Sequence, residues 1–229
     1  MILSSISRFL SRIHGRCVCC EQPAYSRLFP NGRACLCTDC IDEILCTPQQ
    51  IEIQEAPYAS IFTYGVYEGI LQRIIPEYKY EAKLYYAPLL ADCILFTFAS
   101  LITEHYDYCL PIPQHKDKIQ RRGFYHLGLL ADYITRYTTI PTPRTYIHVV
   151  KNYVSQQLLS RDERLSNVRN VFGIRHALHG KRILILDDVI TTGATITAVA
   201  QLLSNAGVYH IDCIAIAINK RGILSHKSL

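Results

Sequence analysis

Residues 183–195, Ile-Leu-Ile-Leu-Asp-Asp-Val-Ile-Thr-Thr-Gly-Ala-Thr, constrain this chain more than any other stretch. Residues 182–186 form an almost wholly apolar strand, the pattern of a strand covered on both faces. The strand ends in two carboxylates, Asp187 and Asp188. A short hydroxyl-rich loop with one glycine follows, and then a helix begins. In an open α/β sheet, ligands bind beyond the carboxyl ends of the strands. There the backbone amides of Thr191, Thr192, Gly193, Ala194 and Thr195 meet a helix N-terminus, whose dipole favours negative charge. The threonine hydroxyls add donors, and Gly193 lets the backbone approach a ligand closely. Such a loop is a phosphate cradle. It is not a P-loop, because no Gly-Lys-Ser/Thr is present, and no dinucleotide-binding glycine triplet occurs. Two carboxylates beside a phosphate would repel it unless they accept hydrogen bonds from something joined to it. Cradle and acidic pair together specify a phosphorylated sugar with vicinal hydroxyls. On this reading both acids face the ligand and the loop amides lie open. The competing reading is a strand-end Asp pair followed by an ordinary helix cap.

The rest of the chain suits an α/β protein. Strands are expected at residues 60–64, 108–112, 146–150, 182–186 and 211–218. Helices are expected at 124–137, with Leu127, Leu130, Ala131 and Ile134 on one face, and at 196–203. Strands alternating with helices imply parallel βαβ units. A helix between Gly65 and Tyr80 is expected to break at Pro76, and a Gln-, Glu- and Pro-rich linker covers residues 47–57. Of the 229 residues, 49% are hydrophobic and 19% charged, which excludes wholesale disorder. The net charge of +5 permits an anionic partner without demanding one. The most apolar stretch, 84–102, contains Pro88 and Asp92 and reads as a buried helix with a broken start rather than a membrane span. No convincing signal peptide precedes it, so the reducing cytoplasm is the expected compartment.

Seven of the ten cysteines crowd the first 46 residues. Cys17-x2-Cys20 and Cys37-x2-Cys40 have the spacing of a four-thiolate zinc site. Cys19 and Cys35 offer alternative pairings. A structural site is favoured over a catalytic one, because four thiolates leave no open position. Cys93, Cys109 and Cys213 stand singly in apolar settings, as buried thiols do. The expected organisation is a short amphipathic helix at 1–16, a zinc-binding module at 17–46 and an α/β domain at 58–229. The helix is read as packing on the module, with a membrane-surface or partner-docking role as the alternative.

Residues 183–195 resemble the 5-phosphoribosyl-1-pyrophosphate (PRPP) signature of type I phosphoribosyltransferases. With the cysteine module, the chain from Cys17 to Ile218 resembles the ComF family of competence-associated proteins. Further matches are Pro111-Ile112-Pro113-Gln114-His115, Arg121-Arg122-Gly123-Phe124, Ser155-Gln156, Leu159-Ser160-Arg161, Arg164, Asn167-Val168 and Phe172. The resemblance implies a type I phosphoribosyltransferase-like, mostly parallel sheet flanked by helices, with a small four-cysteine zinc module. Asp187 and Asp188 would hold the ribose hydroxyls, and Thr191 to Thr195 the 5-phosphate. The turn at Pro113 and His115 would meet pyrophosphate, with Arg121 and Arg122 in a cationic lid. Magnesium would bridge ligand oxygens, bound mainly through ligand and water. Lys116, Lys118, Arg161 and Arg164 are candidate pyrophosphate or nucleic-acid contacts.

The role so implied is natural transformation, with PRPP as ligand and imported single-stranded DNA as a second partner. It would be exerted at the cytoplasmic face of the membrane, with a competence-machinery protein as a further partner and peripheral membrane contact permitted. The alternative is an active phosphoribosyltransferase serving an unidentified base or amine. No catalytic residue is assigned; His115 and His126 are candidate proton carriers or simple polar contacts. The chain departs from the family's frequent Asn-Gln with Tyr125-His126, and from its frequent Thr-Pro with Tyr153-Val154. Both departures are expected on the acceptor side, leaving the phosphoribosyl half intact.

Overall fold

The computed structural model describes residues 15–24, 26–28, 34–150 and 171–219. The chain enters through two short antiparallel pairs: β1 (Gly15–Arg16) with β2 (Pro23–Ala24), and β3 (Ser26–Arg27) with β4 (Cys35–Leu36). Gly15 and Arg16 are thus in a strand and not in the expected N-terminal helix, whose remaining residues lie outside those described. Helix α1 (Thr38–Ile44) follows. Ile44 and Leu36 are fully buried and join the main core, so a segment too small to hold a core of its own shares its neighbour's. Tyr64 donates to the Ile44 carbonyl at 3.0 Å, and Arg73 to the Cys19 carbonyl at 3.2 Å, fastening the segment to the body.

Residues expected as a linker contain a strand instead. β5 (Gln49–Glu52) pairs antiparallel with β6 (Ser60–Val66) at the edge of the main sheet. Its four residues are largely solvated, so they carry the polar composition of an edge strand rather than the apolar signature of a central one. Helix α2 (Gly69–Tyr80) runs through Pro76 without breaking. An interior proline costs about 3 kcal/mol, whereas each buried large apolar side chain contributes roughly 1.5–3 kcal/mol. Ile70, Leu71, Ile74, Ile75 and Tyr78 are all buried on its inner face, and tertiary packing prevails. A 3-10 turn at Leu84–Tyr86 leads into α3 (Ala87–Leu101), as the broken-start reading expected. Leu84–Leu101 is the one described stretch long and apolar enough to cross a membrane, and half of it is buried inside the protein.

Next come β7 (Tyr108–Pro111), α4 (Lys116–Arg122) and α5 (His126–Tyr137). Gly123, at φ +82°, closes α4 by donating to the Ile119 and Gln120 carbonyls and turns the chain toward α5. The expected apolar face of α5 is buried. β8 (Ile147–Val149) does not enter the main sheet as anticipated; it pairs antiparallel with β9 (Phe172–Ile174) in a separate two-stranded sheet. β10 (Arg182–Ile190), α6 (Ala194–Asn205) and β11 (His210–Ile218) complete the described chain. The main sheet has the order β5-β6-β11-β10-β7, with β6, β11, β10 and β7 parallel. At its N-terminal end the buried Asp212 accepts from the Ser60 amide (2.8 Å), the Tyr106 hydroxyl (2.5 Å) and His210 (2.6 Å), tying the strand starts together.

Candidate functional site

At the opposite, C-terminal end of the parallel strands lies a cavity of about 790 Å³. Three strand endings contribute to its lining. Tyr67 follows β6, Ile112 to His115 follow β7, and Asp187, Asp188, Val189 and Thr191 stand at the end of β10. Helix α4 adds Lys118, Arg121 and Arg122 to one wall, and α2 adds Lys79 and Tyr80. The cavity therefore carries five cationic or potentially cationic side chains, counting His115, against two carboxylates.

Both acids line the cavity, but they are held differently. β10 continues past them, pairing with β11 as far as Ile190 with Ile218. Asp187 is partly buried, whereas Asp188 is 2% exposed and held inside. Lys79 Nζ lies 2.6 Å from Asp188 Oδ2 and His126 Nε2 lies 2.9 Å from it. Both carboxylates expected at the site therefore reach the cavity; Asp188 is also bound by Lys79 and His126, and Asp187 is the more exposed of the two.

The same contacts relocate His126. It is fully buried at the start of α5, bonded to Asp188, and not on a separate acceptor side. The Tyr125-His126 departure thus stands beside Asp188. Its Nδ1 lies 2.6 Å from Arg122 Nη1, which also donates to Gln114 Oε1 at 3.0 Å. Burial pulls the His126 imidazole below its usual range, only partly opposed by Asp188. Burial alone would raise Asp188, but its bonds to His126 and Lys79 outweigh this and hold it well below a normal carboxylate. Asp187 is raised, first by burial and then by the Asp188 charge. Lys79 loses by burial and gains more from Asp188, so it stays protonated.

The loop expected as a cradle is open. Thr191, Thr192, Ala194 and Thr195 are exposed and Gly193 is partly so. Gly193 caps α6 at φ +73°, a conformation that favours glycine, and has no side chain to close the first turn. The Ala194 amide makes only a long 3.4 Å contact to Thr192 Oγ1. The start of α6 thus stands at the cavity's edge, where Thr191, Ala194 and Thr195 line it.

Of the other expected residues, Pro113, His115, Lys118, Arg121 and Arg122 line the cavity, while Lys116 is exposed beyond it. Arg161 and Arg164 lie outside the described residues. Lys79, Gln114 and Tyr80 were not singled out as site residues from the sequence. Lys79 sits at the end of a helix, where a cation is commonplace. Tyr80, 70% exposed at the rim, has the Arg122 guanidinium 5.2 Å from its ring centroid.

In the N-terminal segment, the sulfur atoms of Cys17, Cys20, Cys37 and Cys40 all lie within 4.8 Å of one another, with Cys20 and Cys37 at 3.5 Å. Tetrahedral thiolates around a zinc ion at about 2.3 Å stand about 3.8 Å apart. The cluster therefore fits a four-coordinate metal. Cys35 is turned away, its sulfur against Gly15, and Cys19 is buried outside the cluster.

Residues 119–228 match the family model described as Phosphoribosyl transferase domain. The chain is 26% identical to Competence protein F of Haemophilus influenzae over 166 residues, covering 69% of this chain and 72% of that one. It is 27% identical to DNA utilization protein YhgH of Escherichia coli O157:H7 over 155 residues, covering 66% and 68%. Among solved structures, a purine phosphoribosyltransferase from Pyrococcus horikoshii is 21% identical, covers 57% of this chain and 74% of its own, and has a TM-score of 0.39. The matched domain and the parallel sheet define a type I phosphoribosyltransferase-like fold with a four-cysteine cluster at its N-terminal side. Relatives named for competence and DNA utilization, together with the matched domain, support the ComF family for this chain.

Proposed function

We propose that this chain binds PRPP with magnesium at the C-terminal end of its sheet and acts in natural transformation, handling imported single-stranded DNA on the cytoplasmic side. The observation that carries the reading is the open amide loop at the start of α6, set beside Asp187 in one cavity with Lys118, Arg121 and Arg122. The loop offers backbone donors to a 5-phosphate. Asp187 offers a carboxylate to a ribose diol or to magnesium, whose oxygen preference it meets. The cationic wall of α4 suits the pyrophosphate, and its exposed Lys116, Lys118 and Arg121 extend positive charge outward toward a nucleic-acid backbone. The competence and DNA-utilization relatives support the cellular role. A structural zinc ion on Cys17, Cys20, Cys37 and Cys40 would supply folding energy that the small segment lacks.

The test is calorimetric titration of the full chain with PRPP and magnesium, repeated with single-stranded DNA present. Saturable, magnesium-dependent binding is expected, together with DNA binding that weakens as salt rises. No PRPP binding at millimolar concentration would remove the ligand, and no DNA binding at low salt would remove the DNA role. A second reading, transfer of the phosphoribosyl group to a base or amine, is favoured by the apolar wall of Val149, Val171 and Phe172 on the same cavity. Pyrophosphate release that requires one added acceptor would establish it.

A further inference from the structure

The buried chain of contacts behind the cavity joins its two ends. Arginine has donors and no acceptor. The 2.6 Å contact between Arg122 Nη1 and His126 Nδ1 therefore requires a lone pair on Nδ1. The ring proton is then on Nε2, where it donates to Asp188 Oδ2 at 2.9 Å. Both ring nitrogens are satisfied by a neutral imidazole of one tautomer, and the residue's own carbonyl is fixed by the Tyr78 hydroxyl at 2.7 Å. A doubly protonated ring would aim Nδ1–H at a guanidinium. The Nη1 group of Arg122 serves both His126 and Gln114, while the side chain lines the cavity.

We propose that His126 is a positioning residue: its neutral ring locks the Asp188 end of β10 to Arg122 of α4, so that the sugar side and the pyrophosphate side of the cavity are held as one rigid unit. The proposal rests on the PRPP reading for what the cavity holds. The lock itself is a property of the ligand-free protein. It sets where Asp187, the next residue of the strand, stands relative to the cationic wall, and it spares the ligand the cost of ordering Arg122. Orientation by a buried partner of this kind is how supporting residues act on groups that touch a ligand.

The experiment has two arms on the full chain. In the first, ¹⁵N-labelled histidine is observed by NMR in the ligand-free protein at pH 7.5. The expected signature for His126 is a neutral ring protonated at Nε2, with Nδ1 accepting. An imidazolium, or the Nδ1–H tautomer, would overturn the lock whether or not PRPP binds. The second arm measures magnesium–PRPP and inorganic pyrophosphate binding in His126→Leu, His126→Gln, Arg122→Met and the His126→Leu/Arg122→Met double variant. Loss of a hydrogen bond between charged and polar groups is worth about a 10- to 100-fold change, so His126→Leu is expected to weaken binding to that extent. His126→Gln, which keeps one donor and one acceptor, is expected to recover affinity to within about threefold. The double variant is expected to lose less than the product of the single losses. Additive losses, or a Gln variant as weak as the Leu variant, would overturn the proposal. Wild-type protein that binds neither ligand would refute the PRPP reading, and the NMR arm would still decide the lock.

Discussion

Replacing Asp188 by Asn separates a structural carboxylate from a ligand-binding one. The substitution keeps the volume, removes the charge, and puts an amide where Lys79 and His126 both donate. Removing one member of a buried ion pair costs about 3–5 kcal/mol. Lys79 keeps 22% side-chain exposure against 3% for Asp188, so water recovers part of the loss and the low end, about 3 kcal/mol, applies. In a folded unit of this size each kcal/mol moves Tm by roughly 2–4 °C, so a fall of about 6–12 °C is expected by calorimetry at pH 7.5 without ligand.

Asp187→Asn should behave in the opposite way. The ionised form of Asp187 is penalised by burial and by its neighbour's charge, so its folded state binds protons more readily than the unfolded chain. Its ionisation therefore subtracts stability as pH rises above about 4, and the amide removes that penalty. Tm should hold or rise while PRPP binding is lost. Asp188, depressed in the fold, contributes stability that is complete above about pH 4 and lost as pH falls through its lower folded value. His126, also depressed, contributes stability present above about pH 6.5 and lost below it. The Tm gap between wild type and Asp188→Asn should thus narrow below about pH 4. An Asp188→Asn variant as stable as wild type, or an Asp187→Asn variant that melts lower than it, would refute the inward assignment.

Metal analysis of protein purified without chelator should find about one zinc per chain, lost in Cys40→Ser and kept in Cys19→Ser; a folded, metal-free wild type would contradict the centre. Gly193→Ala should cost about 1–2 kcal/mol in urea unfolding, because a side chain at φ +73° is strained and its Cβ would stand 3.4 Å from the Tyr58 hydroxyl; an unchanged midpoint would argue against that backbone. Asp212→Ala should strand the Ser60 amide and the Tyr106 hydroxyl, at about 1–3 kcal/mol each, while leaving PRPP affinity unchanged, since it sits at the other end of the sheet; weakened binding with unchanged stability would reverse that assignment.

The central strands were legible because burial on both faces leaves a continuous apolar run, as in 182–186 and 211–218. The start of α6 was legible because a glycine follows hydroxyl-bearing residues at a strand end. That Asp188 is held by protein partners was not, because Lys79 and His126 reach it from elsewhere in the chain. Gln49–Glu52 escaped notice because an edge strand keeps a polar composition. The effect of Pro76 was not legible, because its local penalty is outweighed by five buried side chains that only the fold brings together. Lys79 and His126 gave no periodic signal of their roles; they meet Asp188 from helices far away in the chain, and only the fold brings them there.

Amide hydrogen exchange with ribose 5-phosphate tests the central claim most directly. The sugar phosphate alone should slow exchange most strongly across Thr191 to Thr195 and the start of α6, with magnesium and pyrophosphate extending protection to Gln114 and α4. Saturating ligand that leaves the Thr191 to Thr195 amides exchanging at their original rate, or that protects the Asp212 end of the sheet instead, would contradict it.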